Sequence, residues 1–269
     1  MSQPLLSPHA ARPQSPIFRG LRLAGRPAGA SVLAARILAC ALALAGASAP
    51  AFALQAGDDI LSLGVAAIHP DASLGTLTST GALATAFNAA TAGSSADVSR
   101  ETTVSFSWLH LFTDRLGAEF TLGVPPRHEV DLRTPSPFAA APTHPRAATL
   151  RTWTPAAVGK WFFGEKSQRM RPYLGLGVSH VSFHELDVNR GDPTVALLAG
   201  ASADLASRWT PVYNAGLLWR LDERWSVNAS VSFLPIRTTA TFTGTGPTTT
   251  RGDLKLDTVD WVLRLGRRF

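Results

Sequence analysis

Only one stretch of this chain sets nucleophile-, base- and acid-type side chains side by side: His180, Ser182, His184 and Glu185. A hydrolytic or metal site needs such groups within hydrogen-bond reach of one another. The alternation around them makes the stretch a strand, and at about 3.3 Å per residue His180 and His184 stand ~13 Å apart. They cannot share a proton or a metal, so the chain is expected not to be an enzyme. Nor does it carry a phosphate loop, a zinc-type Cys/His spacing or a calcium loop, so neither cofactor nor metal is expected. A second set is charged: Glu119, Lys160, Arg220 and Arg264 fall on one parity of separate strand-like segments. One carboxylate among three cations on an enclosed face has to pair with them, and the pairing would plug the enclosed space. A third set is apolar. Ile68, Val181, Phe183, Leu234 and Ile236 take the same parity nearer the other end, where a greasy solute could sit.

The elements that position these sets alternate with period two. Val104, Phe106, Trp108, His110 and Phe112 oppose Thr103, Ser105 and Ser107; Trp225, Val227, Ala229, Val231 and Phe233 oppose Ser226, Asn228, Ser230 and Ser232. Eight such segments are expected: 59–68, 101–112, 116–125, 152–163, 170–186, 208–221, 224–238 and 254–269. Short turns follow the second, fourth and sixth. Long Gly/Ser/Thr/Pro-rich loops follow the first, third, fifth and seventh, at 69–100, 126–151, 187–207 and 239–253. Short turns at one end and long loops at the other fit a transmembrane barrel, whose closure leaves no open edge. The expected fold class is therefore all-β: an eight-stranded antiparallel up-and-down barrel. A secreted sandwich or a soluble lipocalin-like barrel is disfavoured by one small polar face and one apolar face. The apolar face ends near the turns in Phe112, Trp161, Phe163, Trp225 and Phe269, an aromatic girdle.

Composition agrees. Of 269 residues 45% are apolar and only 16% charged, against about 25% charged in soluble proteins. The net charge of +6 suggests nucleic acid only until the chain is divided. Residues 1–53 hold five arginines and no acid, so the remainder sets 20 bases against 19 acids, a net of +1. No nucleic-acid partner is expected. Arg36 precedes a nine-residue apolar run, 37–45, and a small-residue stretch ending Ala51-Phe52-Ala53. That pattern reads as a cleaved secretory signal within an unusually long basic leader, 1–53, ahead of a barrel domain at 54–269. The single cysteine, Cys40, lies inside the leader. A lipoprotein reading of it is disfavoured because Arg36 interrupts the apolar run, and the exported part has no cysteine for a disulfide.

In order, the segments resemble the OmpW family of small outer-membrane channels across 58–269. The resemblance rests on Leu63-Gly64 with Pro70, on 111–119 (Leu-Phe-Thr-Asp-Arg-Leu-Gly-Ala-Glu) and on Val124-Pro125-Pro126-Arg127-His128. It rests also on Arg171-Pro172-Tyr173-Leu174-Gly175-Leu176-Gly177, on 225–231 and on the closing stretch from Leu256-Asp257 through Trp261 to Phe269. Arg267 departs from it, standing where the family usually has an aromatic. The loops at 185–207 and 82–92 are this chain's own.

The resemblance implies a place in the bacterial outer membrane and passive passage of small hydrophobic molecules, with sideways release into the bilayer. It implies that Trp209 lines the apolar lumen, although strict alternation faces Trp209 away from Asn214 and Gly216 unless a bulge intervenes. It further implies outer-membrane lipid, lipopolysaccharide and small hydrophobic solutes as partners. The terminal Phe269 would serve as the signal for the barrel-assembly machinery. Eight strands leave an interior nearly filled by side chains, which excludes a wide aqueous pore. The alternative is a structural or adhesive barrel whose outer loops bind a partner or phage.

Overall fold

The computed structural model describes residues 54–134, 142–244 and 248–269. The leader at 1–53 lies outside the described residues. In chain order the elements are β1 (Asp59–Leu74), β2 (Thr78–Thr80), α1 (Ala84–Thr91), β3 (Ser95–Val98), β4 (Glu101–Leu111), β5 (Leu116–Gly123), β6 (Arg127–Arg133) and β7 (Thr143–Trp153). They continue with β8 (Ala156–Phe162), β9 (Met170–Val188), α2 (Pro193–Ala199), β10 (Ser202–Leu205), β11 (Arg208–Arg220), β12 (Trp225–Thr243) and β13 (Thr249–Arg268).

Eight of these strands close a ring of antiparallel pairs: β1 with β4, β4 with β5, β5 with β8, β8 with β9, β9 with β11, β11 with β12, β12 with β13, and β13 back to β1. Closure gives every wall strand a neighbour on both sides, as a sheet in hydrocarbon requires. Alternation sets the two faces. Leu63, Leu174, Leu176 and Trp261 are each more than half exposed on the outside, whereas Ser107, Lys160, Tyr173 and Ser179 are buried within. So much exposed apolar surface suits a wall in contact with lipid.

The wall is taller than the sequence pattern implies. β9, β12 and β13 run 19, 19 and 20 residues, roughly twice the 9–11 that a tilted strand needs to cross a bilayer. Their upper halves carry a second storey, in which β3, β6 and β7 pair with one another and with β9, while β2 and β10 edge β13 and β12. The long loops are thus largely folded. The fourth expected segment, 152–163, is in fact two strands, because Pro155 has no N–H to continue the ladder where β7 gives way to β8. Facing it across the wall, β5 stops at Gly123 ahead of Pro125 and Pro126.

Candidate functional site

The lumen is built in layers, beginning at the short-turn end. Leu54 folds under the barrel and joins Ile60, Leu109, Leu111, Phe162, Tyr173 and Leu218 in a dry floor. Around the floor, the Arg171 guanidinium donates to the Asp114 carbonyl at 2.7 Å, and Arg268 pairs with Asp58 at 3.2 Å. Arg220 donates to the carbonyls of Ser167 and Gln168, both at 2.7 Å. The plug expected to include Arg220 therefore does not reach it. Arg220 lies one inward position beyond Leu218 toward the turn, and turn carbonyls take its charge.

Above the floor Glu119 sits between two cations, 2.8 Å from Lys160 Nζ and 3.4 Å from Arg264. All three side chains are at most 5% exposed. Thr121 donates to Glu119, Arg264 donates to Ser105 through both Nε (3.0 Å) and a terminal nitrogen (2.7 Å), and Lys160 donates to the Tyr173 hydroxyl. That hydroxyl donates in turn to Asn228 at 2.8 Å. Gly216 is required here, since a Cβ at that position would occupy the space of the Tyr173 phenol. Buried charges persist only when paired and hydrogen-bonded, and this network supplies both. Its side chains cross the lower lumen from β4, β5, β8, β9, β12 and β13.

Higher still the wall turns apolar. A cavity of about 150 Å³ is lined by Ile68, Phe183, Leu234, Ile236 and Leu256 from the barrel, and by Leu132, Leu150, Val195 and Leu198 from the upper storey. Val181 is fully buried and packs with Val158, Val212, Leu234 and Ile236 beside the cavity without forming its wall. Trp209 does not face inward. It is 71% exposed on the outer wall, its ring 4.9 Å from that of His180. β11 pairs with β9 without a register break from Arg208 to Trp219, so no bulge reverses its side. His180 is thereby on the outer wall, and His184 is exposed, its Nε2 3.1 Å from Ser182 Oγ. Phe269 is 68% exposed at the turn end, where the Arg267 guanidinium covers it at 5.3 Å and Trp225 at 6.0 Å.

One polar chain escaped the sequence reading altogether. The buried His144 donates from Nδ1 to Asp192 Oδ2 at 2.8 Å, and Thr134 Oγ1 lies 2.9 Å from its Nε2. The order hydroxyl, imidazole, carboxylate is that of a hydrolase triad. Thr134 is 1% exposed, however, and offers no face to a substrate. The chain ties the β6–β7 hairpin to α2 instead. Asp192 caps α2, its Oδ1 accepting from the backbone of Thr194 and Val195. Burial works to raise the Asp192 carboxyl, but the hydrogen bonds from His144, Val195 and Thr194 win and hold it below the usual 3.8. A depressed carboxylate stabilises the folded state above its unfolded value and loses that contribution as pH falls through the folded one. Amide exchange protection of 193–199 is therefore expected to be steady above pH 3.8 and to drop below it. The Asp192→Asn protein should lack the step and lose about 1 kcal/mol of cap. Equal protection on both sides of that pH would show that the cap carries no weight. No sequence signal marks the His144 contact, because its two partners, Thr134 and Asp192, stand at no periodic spacing from it. Arg171 and Tyr173, in contrast, share the inward parity of Gly175 and were open to that argument.

The model of the OmpW family matches residues 55–269. Outer membrane protein W of Escherichia coli is 26% identical over 223 residues, 82% of this chain and 93% of that protein. Outer membrane protein AlkL of Ectopseudomonas oleovorans is 27% identical over 177 residues, 65% of this chain and 69% of that one. The crystal structure of the outer membrane protein OprG from Pseudomonas aeruginosa shares the fold at a TM-score of 0.69 and 24% identity, covering 81% of this chain and 98% of that one.

Proposed function

Because this chain belongs to the OmpW family and is a β-barrel of the outer membrane, we propose that it passes small hydrophobic molecules from outside the cell into the bilayer without catalysis. The observation that supports this most is the apolar cavity standing above a lumen crossed by a buried ion cluster. An apolar solute gains about 25 cal/mol for each Å² it removes from water. A dry wall of leucine, isoleucine and phenylalanine thus concentrates it at the loop end, and the plug denies it a path straight through.

A sideways exit has support in the ladder. Pairing of β5 with β8 stops at Thr121 opposite Ala156, and pairing of β6 with β7 begins at Arg127 opposite Arg151. Between them only Thr152 N reaches across, to the Pro126 carbonyl at 3.4 Å, and Val124 bonds to β4 instead. Pro125, Pro126 and Pro155 have no N–H with which to close this seam. In this proposal the outer apolar belt contacts membrane lipid, lipopolysaccharide surrounds the loop end, and Phe269 is the strand end read by the assembly machinery.

The seam can be locked. Val124 and Thr154 border the same lumenal space from opposite sides of the seam, and residues 54–269 contain no cysteine. A Val124→Cys, Thr154→Cys protein joined by a short reducible cross-linker should lower hydrophobic uptake to the level of cells lacking the protein, and reduction should restore it. Uptake that continues at the parental rate with the link in place would exclude this exit.

A further inference from the structure

The apolar cavity does not end on apolar atoms. Where it meets the polar lumen, three side chains on adjacent strands share one rung: Asn214 on β11 is registered with Ser232 on β12, and Ser232 with Asp260 on β13. Asp260 lies on the wall of the apolar cavity and also on that of the smaller polar space beneath, which Asn214 and Ser232 line as well. The rung presents acceptors without donors to match. Asp260 Oδ1 and Asn214 Oδ1 are both buried and neither has a hydrogen-bond partner, while the Asn214 amide nitrogen is already committed to the Val231 carbonyl and the Ser232 hydroxyl. The nearest inward cation on β13, Arg264, is held four residues below by Ser105 and Glu119. On the other side, Asp260 is registered with the apolar Ile68 of β1.

A buried acceptor left unmatched is costly, and a carboxylate more so. Two of them on one rung, directly under a greasy chamber, form half of a binding site. We propose that the rung of Asn214, Ser232 and Asp260 binds the primary ammonium head of an amphipathic alkylamine whose apolar body fills the cavity above. An ammonium brings three donors and a positive charge, which meet two unpartnered acceptors, one of them a carboxylate oxygen. An alcohol brings a single donor and no charge. A fatty acid would set its carboxylate against Asp260.

This inference rests on the cavity being a solute site, and its test separates the two. Calorimetry is run on the full barrel in lipid nanodiscs, with empty nanodiscs as the partition control, and the probes are octane, octanol, octylamine and octanoate. Octane binding reports on the cavity alone. Octylamine should bind at least about tenfold more tightly than octane, as a charge-assisted hydrogen bond implies, with octanol between them and octanoate weakest. Asp260→Asn keeps shape and should erase most of the advantage of octylamine over octane. The headgroup series on the parent protein needs no variant, so a misfolded Asp260→Asn protein does not rescue the idea. Octane binding with no preference for octylamine overturns the headgroup site and leaves the cavity standing. Failure of all four probes to bind overturns both.

Discussion

Replacing Glu119 with Gln is expected to destabilise the barrel by about 3–5 kcal/mol, because it leaves buried cations without their anion. Lys160 and Arg264 both turn to this one carboxylate, and all three side chains are almost wholly shielded from solvent. The glutamine can still accept from one of them, but it brings no charge. Beyond that one bond, Lys160 has the Tyr173 hydroxyl at 3.2 Å and Arg264 has the Ser105 hydroxyl, both neutral. Thermal unfolding of the detergent-solubilised barrel measures the loss, and planar-bilayer recordings should show small-ion leakage as water enters the loosened plug. Adding Lys160→Met to Glu119→Gln removes one stranded cation and should recover part of the stability. Melting and conductance of Glu119→Gln that both match the parent would show that the ion cluster does not hold the lumen shut.

Parity carried the sequence reading a long way and then failed at identifiable places. Period two is enough to put Glu119, Lys160 and Arg264 on one side of the wall and Leu63, Leu174 and Trp261 on the other, because one face must meet lipid and the other must not. Parity says nothing about height. Arg220 shares the inward face with the plug, yet it sits at the turn end and spends its charge on backbone carbonyls. Trp209 shows the reverse case, in which the alternation outweighed a resemblance that pointed inward. The upper storey was hidden for another reason. β3, β6 and β10 are short and lie within stretches rich in Gly, Ser, Thr and Pro; β3 and β6 reach the wall only by way of β7, which pairs with the tall strand β9, and β10 pairs with β12. Leu132, Val195 and Leu198 therefore joined the cavity wall with no periodic signal to announce them. The unpartnered oxygens of Asp260 and Asn214 are equally invisible in sequence, since a missing hydrogen bond is a property of neighbours in space.

Phe183→Asp is expected to abolish uptake of a hydrophobic solute while leaving the barrel inserted and folded. Phe183 forms part of the cavity wall near the upper end of β9 and is only partly buried, packed against the cluster of Val181, Leu234 and Ile236. Truncating it removes apolar area that a solute would cover, and each Å² lost weakens retention by about 25 cal/mol. The carboxylate does more than the truncation. It retains its water, because moving an unpaired charge into an apolar chamber is far more costly than keeping it hydrated. A dry chamber of about 150 Å³ becomes a wet one, and a wet wall offers an alkane nothing that bulk water does not. Phe183→Leu is the matched control, since it keeps the wall dry and should retain most of the uptake. Hydrophilic solutes should be indifferent to both variants, because neither substitution touches the Glu119 cluster proposed to close the route below. Uptake is followed with a radiolabelled hydrophobic probe in cells that express equal amounts of surface-exposed barrel. Parental uptake by Phe183→Asp would mean that solutes do not use this cavity. The tall, folded outer storey would then be the better guide to function, as a surface that binds a partner.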